Sequence, residues 1–473
     1  MPRETKIVAT LGPASSTPEI LTRLIAAGVD VVRMNFSHGT AQDHIDRAKV
    51  VREVAAGLGR EVAIMADLQG PKIRVGRFAE GKINLTEGDR FTLDAACELG
   101  NQEQVGLDYK ELPHDVRPGD VLLLNDGLIK LEVVSVKGTA ILTRVVIGGI
   151  LSNNKGINRQ GGGLTASALT AKDMDDIRTA VQLGADYVAV SFPKAGEDMY
   201  TARQLLRASG GTALLIAKIE RAEAITNLAD ILNTSDGIMV ARGDLAVEVG
   251  NARIPGLQKK MIRMALEANK LTITATQMME SMIQNPVPTR AEVSDVANAV
   301  LDGTDAVMLS GETSVGRYPI ETVQTMGRIV EAVETDSPVV PPLTHVPRTK
   351  RGVISYAARD IGERLNAKAL VAFTQSGDTV RRLARLHTRL PLLAFTPEEC
   401  VRSQLSMTWG TNTQIVPRVE STDQMIQQVD HKMLEMGKYQ RGDLVVIVAG
   451  SPPGTVGSTN LIHVHRLGED DHA

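Results

Sequence analysis

Four charged residues follow two short apolar runs of the sequence: Lys218, Glu220, Arg242 and Asp244. The runs, 214–219 and 237–241, are typical of buried parallel strands. Lys218 and Glu220 are two positions apart, so on a strand both side chains point to the same face. Two carboxylates beside a lysine suit a divalent cation and a phosphorylated anion. Surface ion pairs at strand ends would give the same pattern, so these residues alone leave both interpretations open.

The elements that must position these residues are strands alternating with helices, and eight apolar runs have the length of buried strands. Eight strands close a (β/α)8 barrel, whose active site lies at the carboxyl ends of the strands. Polar residues follow several runs, as this interpretation requires: Arg33, Asn35, Asp67, Thr276 and Ser310. The runs are 5–10, 29–34, 62–66, 187–191, 214–219, 237–241, 272–275 and 306–309. The sequence therefore predicts an α/β fold built on a (β/α)8 (TIM) barrel.

Two further domains are predicted beside the barrel. Between residues 71 and 165 the apolar residues alternate with a period of two between turn signals, which predicts a small all-β domain, a β-barrel. Glycines at both of its ends suit hinges, so we expect this domain to be a lid. A proline-rich linker precedes a three-layer α/β domain. The predicted boundaries are 1–70 and 166–345 for the catalytic barrel, 71–165 for the lid, and 350–473 for the C-terminal domain.

A second anion site is one interpretation of a polar loop in the C-terminal domain. The loop, 374–379, lies between a predicted strand and a predicted helix, and a Gly-rich loop over 450–459 follows the last clear strand. Small donors at the start of a helix form a phosphate cradle. An ordinary helix cap with turn residues explains loop 374–379 equally well.

Composition excludes several classes of function. The net charge is −4, from 52 basic and 56 acidic residues, which gives no support for a nucleic-acid or membrane partner. Two cysteines lie far apart, and no apolar run reaches the length of a membrane span, so we expect a cytoplasmic protein. His463 and His465 lack a nearby third ligand and are better explained as structural. The single tryptophan, Trp409, is predicted to be a core residue rather than a ligand contact.

Nine stretches together resemble the pyruvate kinase family. They are 5–15 (Thr-Lys-Ile-Val-Ala-Thr-Leu-Gly-Pro-Ala-Ser), 33–39 (Arg-Met-Asn-Phe-Ser-His-Gly), 67–74 (Asp-Leu-Gln-Gly-Pro-Lys-Ile-Arg), 218–220 (Lys-Ile-Glu), 239–245 (Met-Val-Ala-Arg-Gly-Asp-Leu), 274–282 (Thr-Ala-Thr-Gln-Met-Met-Glu-Ser-Met), 288–292 (Pro-Thr-Arg-Ala-Glu), 295–303 (Asp-Val-Ala-Asn-Ala-Val-Leu-Asp-Gly) and 308–313 (Met-Leu-Ser-Gly-Glu-Thr). The resemblance covers nearly the whole chain in order. It implies a barrel with an inserted β lid and a C-terminal effector domain.

The resemblance also implies a reaction, the transfer of a phosphoryl group from phosphoenolpyruvate to ADP, in which positioning and charge neutralisation do most of the catalysis. Lys218 and Arg33 are implied to hold the transferring phosphate, and Glu220 and Asp244 to hold Mg²⁺ or Mn²⁺. The substrate carboxylate is implied to bind Gly243, Asp244 and Thr276, and Ser310 to lie in the proton path. The implied nucleotide-binding residues are Asn35, Ser37, His38, Arg74 and Lys155.

A monovalent cation is the point at which this sequence departs from many family members. Their potassium ligands match Asn35, Ser37, Asp67 and the carbonyl of Leu68, and they usually carry Glu where this chain has Lys72 in Gly-Pro-Lys-Ile-Arg. A fixed ammonium can supply the charge of a potassium ion. We therefore expect an enzyme that does not require K⁺.

The loop at 374–379 resembles the effector site of the family, which implies Thr374, Ser376, Gly377 and Thr379 as ligands of a sugar monophosphate or AMP. The resemblance further implies a homotetramer, an assembly suited to allosteric switching. Two alternatives stand beside this interpretation. One is another phosphoenolpyruvate-binding barrel enzyme, which would lack the β lid, and the other is a catalytically silent sensor, which would lack part of the catalytic set.

Overall fold

A closed eight-stranded barrel forms the centre of the computed structural model, which describes residues 3–71, 73–336, 340–343, 347–455 and 457–469. All neighbouring strands are parallel, in the order β1-β18-β17-β16-β15-β14-β3-β2. The strands are β1 (Lys6–Thr10), β2 (Val31–Asn35), β3 (Ala63–Asp67), β14 (Tyr187–Val190), β15 (Leu214–Ile219), β16 (Gly237–Ala241), β17 (Leu271–Ala275) and β18 (Ala306–Leu309). The predicted barrel is therefore confirmed, with each strand at its predicted place.

Helices surround the barrel, and threonine caps mark where several of them begin. Thr17 caps the first helix with Pro18 in its first turn, and Thr40, Thr170 and Thr289 form capping boxes. The helices are α1 (Pro18–Ala26), α2 (Ala41–Gly57), α4 (Ala171–Gln182), α5 (Gly196–Ala208), α6 (Ala222–Thr226), α7 (Leu228–Thr234), α8 (Arg242–Val249), α9 (Ile254–Glu267), α10 (Arg290–Leu301), α11 (Gly311–Ser314) and α12 (Pro319–Asp336). Their apolar faces cover the outside of the strands in one continuous core.

The inside of the barrel is filled by alternate strand residues, such as Val8, Met65 and Met239. Met407, from the C-terminal domain, belongs to the same buried cluster and is fully buried. Nearby, the Tyr187 hydroxyl donates a hydrogen bond to the carbonyl of Gln404. Since Tyr187 is the first residue of β14, the C-terminal domain closes the barrel at the amino ends of its strands.

The inserted residues between β3 and β14 form three sheets of short strands. The largest has the order β13-β9-β10-β11-β6-β8, and the pairs β12-β5 and β4-β7 complete the set, whereas the sequence predicted a β-barrel. The strands are β4 (Arg77–Phe78), β5 (Lys82–Leu85), β6 (Arg90–Asp94), β7 (Leu99–Gly100), β8 (Gln104–Val105), β9 (Val121–Leu124), β10 (Ile129–Lys137), β11 (Ala140–Ile147), β12 (Gly149–Ser152) and β13 (Ile157–Arg159), with one short helix, α3 (Leu112–Asp115). The insert has its own buried core.

The C-terminal domain is a five-stranded sheet with packed cores on both faces, which confirms the predicted three layers. Its order is β21-β20-β19-β22-β23, and only the edge strand β23 runs antiparallel to its neighbour. Its elements are α13 (Lys350–Arg364), β19 (Ala369–Phe373), α14 (Asp378–Ala384), β20 (Leu392–Thr396), α15 (Glu399–Gln404), β21 (Thr411–Ile415), α16 (Thr422–Glu435), β22 (Leu444–Gly450) and β23 (Thr459–Arg466). Of the predicted linker, residues 337–339 and 344–346 lie outside the described residues. No helix within the described part of the chain is long and apolar enough to cross a membrane.

Candidate active site

A lysine with only 11% of its side chain exposed is the centre of a polar network at the carboxyl ends of the barrel strands. The Lys218 ammonium lies 2.9 Å from Glu220 Oε1 and 3.2 Å from Asp67 Oδ1, and it donates a 2.7 Å hydrogen bond to Ser191 Oγ. Burial alone would lower the pKa of Lys218, but the two carboxylates outweigh it and raise the pKa above its ordinary value. Lys218 is therefore a fixed positive charge.

Asp67 connects this lysine to a second cation. Its Oδ2 accepts a 2.6 Å hydrogen bond from Arg33 Nε, and Arg33 also donates to Thr10 Oγ1 at 3.0 Å. Burial would raise the pKa of Asp67, but Lys218 and Arg33 hold it below its ordinary value. One buried carboxylate thus orients both cations, so that a phosphorylated anion would meet two positive charges in fixed positions.

The two carboxylates predicted to bind a metal ion, Glu220 and Asp244, fit that role electrostatically. Burial raises the pKa of Glu220 to about 7, Lys218 opposes this, and the negative charge of Asp244 adds to it. Glu220 Oε2 also accepts a 2.8 Å hydrogen bond from the backbone of Phe192. No cluster of three or more His, Cys, Asp or Glu that could hold a metal occurs among the described residues. Mg²⁺ usually needs only one or two carboxylates beside substrate oxygens and waters, so this pair is sufficient.

The start of α8 faces a strained threonine. Gly243 donates its backbone N–H to Thr276 Oγ1 at 2.8 Å, and Arg242 donates to the carbonyls of Ala275 at 3.1 Å and Thr276 at 2.6 Å. Thr276 has φ +69°, an unusual conformation for a β-branched residue. Such strain persists where the surroundings impose it and often marks a functional position. Gly243 and Thr276, both predicted to bind the substrate carboxylate, therefore contact each other directly.

Two of the predicted nucleotide-binding residues reach the site from the inserted domain. Arg74 and Lys155 line a cavity of about 190 Å³ together with Asp244 and Arg221 of the barrel. A neighbouring cavity of about 750 Å³ is lined by Gly243, Asp244 and Thr276 and by Asp126 of the insert. The inserted domain and the barrel thus enclose the metal-binding candidate from two sides.

The other nucleotide candidates lie beyond the end of β2. Asn35 pairs in register with Asp67 on β3, and its Oδ1 accepts a 3.1 Å hydrogen bond from the backbone of Ser37. His38 is exposed, and its carbonyl lies 2.9 Å from the ring nitrogen Nε2 of His44. The described lining of the 190 Å³ cavity includes neither Ser37 nor His38.

Ser191 is a site residue that the sequence analysis did not single out. Its side chain is buried, accepts the hydrogen bond from Lys218, and donates a 2.7 Å hydrogen bond to the carbonyl of Leu68. It therefore joins the lysine to the predicted monovalent-cation region. The available signal was its position as the last residue, and a polar one, of the predicted run 187–191. Lys72, the predicted substitute for the cation, lies outside the described residues.

Ser310 lies at the carboxyl end of β18, next to the amino end of α11. Its backbone N–H donates a 2.7 Å hydrogen bond to Glu312 Oε2. The other carboxylate oxygen, Glu312 Oε1, accepts a 3.1 Å hydrogen bond from the backbone N–H of Met279. Glu312 is buried, so this carboxylate fixes the backbone on which Ser310 stands.

The two loops of the C-terminal domain form one cavity of about 360 Å³, lined among others by Thr374, Ser376, Thr379, Gly454 and Ser458. Within it, Thr374 Oγ1 accepts a 2.8 Å hydrogen bond from the backbone of Gly377, which has φ +79°. The hydroxyls of Thr379 and Thr459 are 2.7 Å apart. All four predicted effector residues therefore belong to this cavity wall or to the turn that shapes it.

An eight-stranded barrel with a largely buried lysine, an arginine and paired carboxylates at the strand ends defines an enzyme that handles a phosphorylated anion beside a divalent cation. The barrel domain of pyruvate kinase matches residues 2–323, and the pyruvate kinase alpha/beta domain matches residues 353–465. The chain belongs to the pyruvate kinase family, and its activity is that of the family, phosphoryl transfer from phosphoenolpyruvate to ADP.

Full-length relatives agree with this assignment. A pyruvate kinase of Mycobacterium tuberculosis is 57% identical over 472 residues, covering 100% of both chains. The pyruvate kinase II of Salmonella typhimurium is 48% identical and covers 98% of each chain. A crystal structure of a Cryptosporidium parvum pyruvate kinase superimposes with a TM-score of 0.91 at 33% identity, over 98% of this chain and 96% of that one. The fold and the family expected from the sequence are thereby confirmed.

Proposed function

We propose that phosphoryl transfer takes place between Lys218 and Arg33 on one side and the inserted domain on the other. The observation that supports this most directly is the shared carboxylate of Asp67, which holds both cations beside Glu220. The test is the initial rate of pyruvate formation from phosphoenolpyruvate and ADP with Mg²⁺. A chain with no turnover under any ionic condition would instead be the silent sensor considered above, although Lys218, Glu220, Asp244, Thr276 and Arg33 are all present.

In this proposal each residue acts through charge and position. Lys218 and Arg33 bind the phosphate, and Lys218 stabilises the charge that spreads over it in the transition state. Glu220 and Asp244 hold the divalent cation, Mg²⁺ in enzymes of this family generally, which when bound neutralises oxygens of the substrate. Because no further ligand cluster constrains the choice, Mn²⁺ also suits these oxygens.

The substrate carboxylate is proposed to bind at the start of α8. The N–H of Gly243 donates to Thr276 Oγ1 in this structure. A carboxylate that enters here would accept one hydrogen bond from this N–H and a second one from the Thr276 hydroxyl. Asp244 contributes its backbone at the same helix start. Ser310 is proposed to lie in the path that delivers a proton to the enolate.

Nucleotide phosphates are proposed to bind the cations of the insert, Arg74 and Lys155, which line the 190 Å³ cavity. Asn35, Ser37 and His38, which lie at or beyond the end of β2 outside that lining, are proposed as further nucleotide contacts. The inserted domain, residues 71–165, would then act as a lid over the barrel of residues 1–70 and 166–345. The segment that leads from the inserted domain back to the barrel contains three consecutive glycines at 161–163. All three have positive φ, a conformation that favours glycine. Closure would bring the two cations onto a nucleotide and exclude water.

Metal affinity is expected to depend on pH through Glu220. The raised pKa of about 7 means that a proton competes with the cation around and below that pH, so the affinity is full only well above pH 7 and weakens as the pH falls through 7. Between pH 8 and pH 6 we expect the dissociation constant for Mn²⁺ to rise about tenfold, measured by electron paramagnetic resonance. Equal affinity at pH 8 and pH 6 would contradict the role of Glu220, and Glu220→Gln should remove the pH dependence along with most of the binding.

Ser191 is proposed as a positioning residue for Lys218. Ser191→Ala removes the acceptor that holds the ammonium, so we expect kcat to fall on the order of tenfold while KM for phosphoenolpyruvate changes little. Ser235→Ala is the matched control, since this buried serine donates only to the helical carbonyl of Ile231, away from the site. A kcat equal to that of the control variant would show that Ser191 is merely structural.

Potassium independence is proposed from Lys72, supported by Leu68 at a position where potassium-dependent relatives tend to have Thr. In this structure the Leu68 carbonyl already accepts a hydrogen bond from Ser191. A lysine ammonium near the predicted cation ligands Asn35, Ser37 and Asp67 would compete with a monovalent ion.

Activation by a phosphorylated metabolite, a sugar monophosphate or AMP, is proposed at the C-terminal cavity of residues 350–473. Ser376→Ala combined with Thr379→Ala removes two hydroxyls from its wall, so activation by glucose 6-phosphate should shift on the order of tenfold to higher concentration, with the fully activated rate unchanged. The exposed Thr86→Ala is the control. Unaltered activation in the double variant would place the effector elsewhere.

We further propose a cytoplasmic homotetramer. Its support is the absence of any disulfide between Cys97 and Cys400, both free, and the suitability of symmetric assemblies for allosteric switching. Light scattering coupled to gel filtration measures the mass directly, and a monomer would contradict the assembly.

A further inference from the structure

A buried carboxylate on α8 connects the elements that carry the two metal-binding candidates. Glu248 lies one helical turn after Asp244 on α8, and both residues line the 190 Å³ cavity. Glu248 is only 6% exposed. Its Oε2 accepts a 2.8 Å hydrogen bond from the backbone N–H of Ala222, two residues after Glu220. Glu248 therefore fixes the segment that follows one metal-binding candidate from the helix that begins with the other.

The position of Glu248 is unfavourable for the stability of α8. It is the last residue but one of this helix, where the helix dipole disfavours a negative charge. Burial raises the pKa of Glu248 to about 7, and the hydrogen bond from Ala222 opposes this only in part. A carboxylate at such a position calls for an explanation other than the stability of the helix, and its other contacts supply one.

The first of these contacts reaches the strand beside the cations of the lid. The side chain of Asn158 on β13 is a hydrogen-bond partner of the Glu248 carboxylate. Lys155 lies three residues before Asn158. The backbone of Arg74 forms an antiparallel bridge with Gly156. Two side chains therefore suffice to join α8 to the backbone that carries both cations.

The second contact holds the glycine hinge of the lid. The N–H of Gly161 donates a 3.1 Å hydrogen bond to the backbone carbonyl of Glu248. At the other end of the hinge, Arg221 donates a 3.3 Å hydrogen bond to the carbonyl of Leu164. The hinge, residues 161–164, thus lies against the barrel at both of its ends, and Glu248 contacts both the hinge and β13.

We propose that Glu248 is a positioning residue for the nucleotide: it determines where the lid cations, Arg74 and Lys155, lie relative to the metal site. It acts through Asn158 and through the hinge 161–164 and does not contact the nucleotide itself. This inference rests on the proposed binding of nucleotide phosphates by the two cations. Because α8 begins at the metal site, the link holds the two ends of the nucleotide site at a fixed separation.

The first test is the steady-state kinetics of Glu248→Ala. KM for ADP should rise about tenfold, the factor that one hydrogen-bonded link commonly contributes. KM for phosphoenolpyruvate should change little, because the first turn of α8 keeps its contact with Thr276. Glu53→Ala, which removes an exposed glutamate from α2, is the matched control and should leave both constants unchanged. Equal rises in both constants, or no rise in either, overturn the proposal.

A second variant removes the same link from the side of the lid. Asn158→Ala should also raise KM for ADP about tenfold, and it decides the question if Glu248→Ala does not fold. In the double variant the two effects should not add, because both substitutions break one link. Additive effects would show that the two residues act independently, as they would in a merely structural role, and would overturn the proposal.

Amide hydrogen exchange separates this proposal from the nucleotide assignment on which it rests. In Glu248→Ala without nucleotide, the hinge 161–164 should exchange about tenfold faster than in the unmodified enzyme, measured by mass spectrometry. Unchanged exchange overturns the proposal. Lys155→Ala tests the nucleotide assignment alone. If it leaves KM for ADP unchanged while the hinge of Glu248→Ala exchanges faster, nucleotide binding by the lid cation is refuted and the positioning of the lid by Glu248 stands.

Discussion

Lys218→Met is expected to lower kcat by about three orders of magnitude, because one preorganised charge in a buried site commonly contributes a factor of 10² to 10³ and Lys218 also shares a carboxylate with Arg33. The neutral side chain cannot stabilise the charge of the phosphate in flight. The measurement is kcat under saturating phosphoenolpyruvate, ADP and Mg²⁺. Lys49→Met, an exposed lysine on α2, is the matched control and should leave kcat unchanged.

The folded state must be checked in the same variant, because Lys218 compensates two buried carboxylates. Arg33 still pairs with Asp67 after the substitution, so Glu220 is the group left without its cation. Lys218→Arg therefore serves as a second variant: it keeps a positive charge, but its planar fork cannot take the position of the ammonium. A kcat within tenfold of the unmodified enzyme in both variants would remove Lys218 from the mechanism.

Lys72→Glu is expected to make the enzyme dependent on potassium. Without K⁺, in tetramethylammonium buffer, the rate of the variant should fall by about two orders of magnitude, since the proposed substitute for the ion is lost and its charge is reversed. Addition of K⁺ should restore much of that rate. The unmodified enzyme should run at nearly the same rate in both buffers.

The control for this experiment is Lys82→Glu, the same charge reversal on the exposed side of β5. It should not create a potassium requirement. Strong activation of the unmodified enzyme by K⁺ would still agree with pyruvate kinase activity. It would refute the proposal that Lys72 takes the place of the ion. The two outcomes are separable because only the second depends on Lys72.

The barrel could be predicted from the sequence because its strands are buried on both sides. Runs such as 237–241 are apolar throughout and are followed by charged residues. This pattern can be recognised in the sequence without knowing which strands lie beside it. The edge strands β21 and β23 were not predicted for the opposite reason. Each is partly exposed and carries polar residues such as those of Thr411–Ile415, so neither has a continuous apolar run.

The site was predicted as a set of residues but not as a network. Lys218, Glu220 and Arg33 were identified from strand ends and motifs, whereas the contact of Asp67 with both cations depends on the register of four neighbouring strands, β2, β3, β14 and β15. Ser191 gave only the weak signal of a serine at the end of a predicted strand. Trp409 was predicted as a core residue, but it is half-buried at a cavity between domains, a position that composition cannot reveal.

Met407 closes the barrel at the amino ends of its strands, and this contact limits how the domains of the protein can be separated. Met407 completes the interior of the barrel, and it is synthesised about a hundred residues after β18, the last barrel strand. During synthesis, the barrel strands therefore precede the group that seals them. A C-terminal domain that also supplies part of the barrel interior cannot be removed or exchanged as an independent module, so the two domains must evolve together.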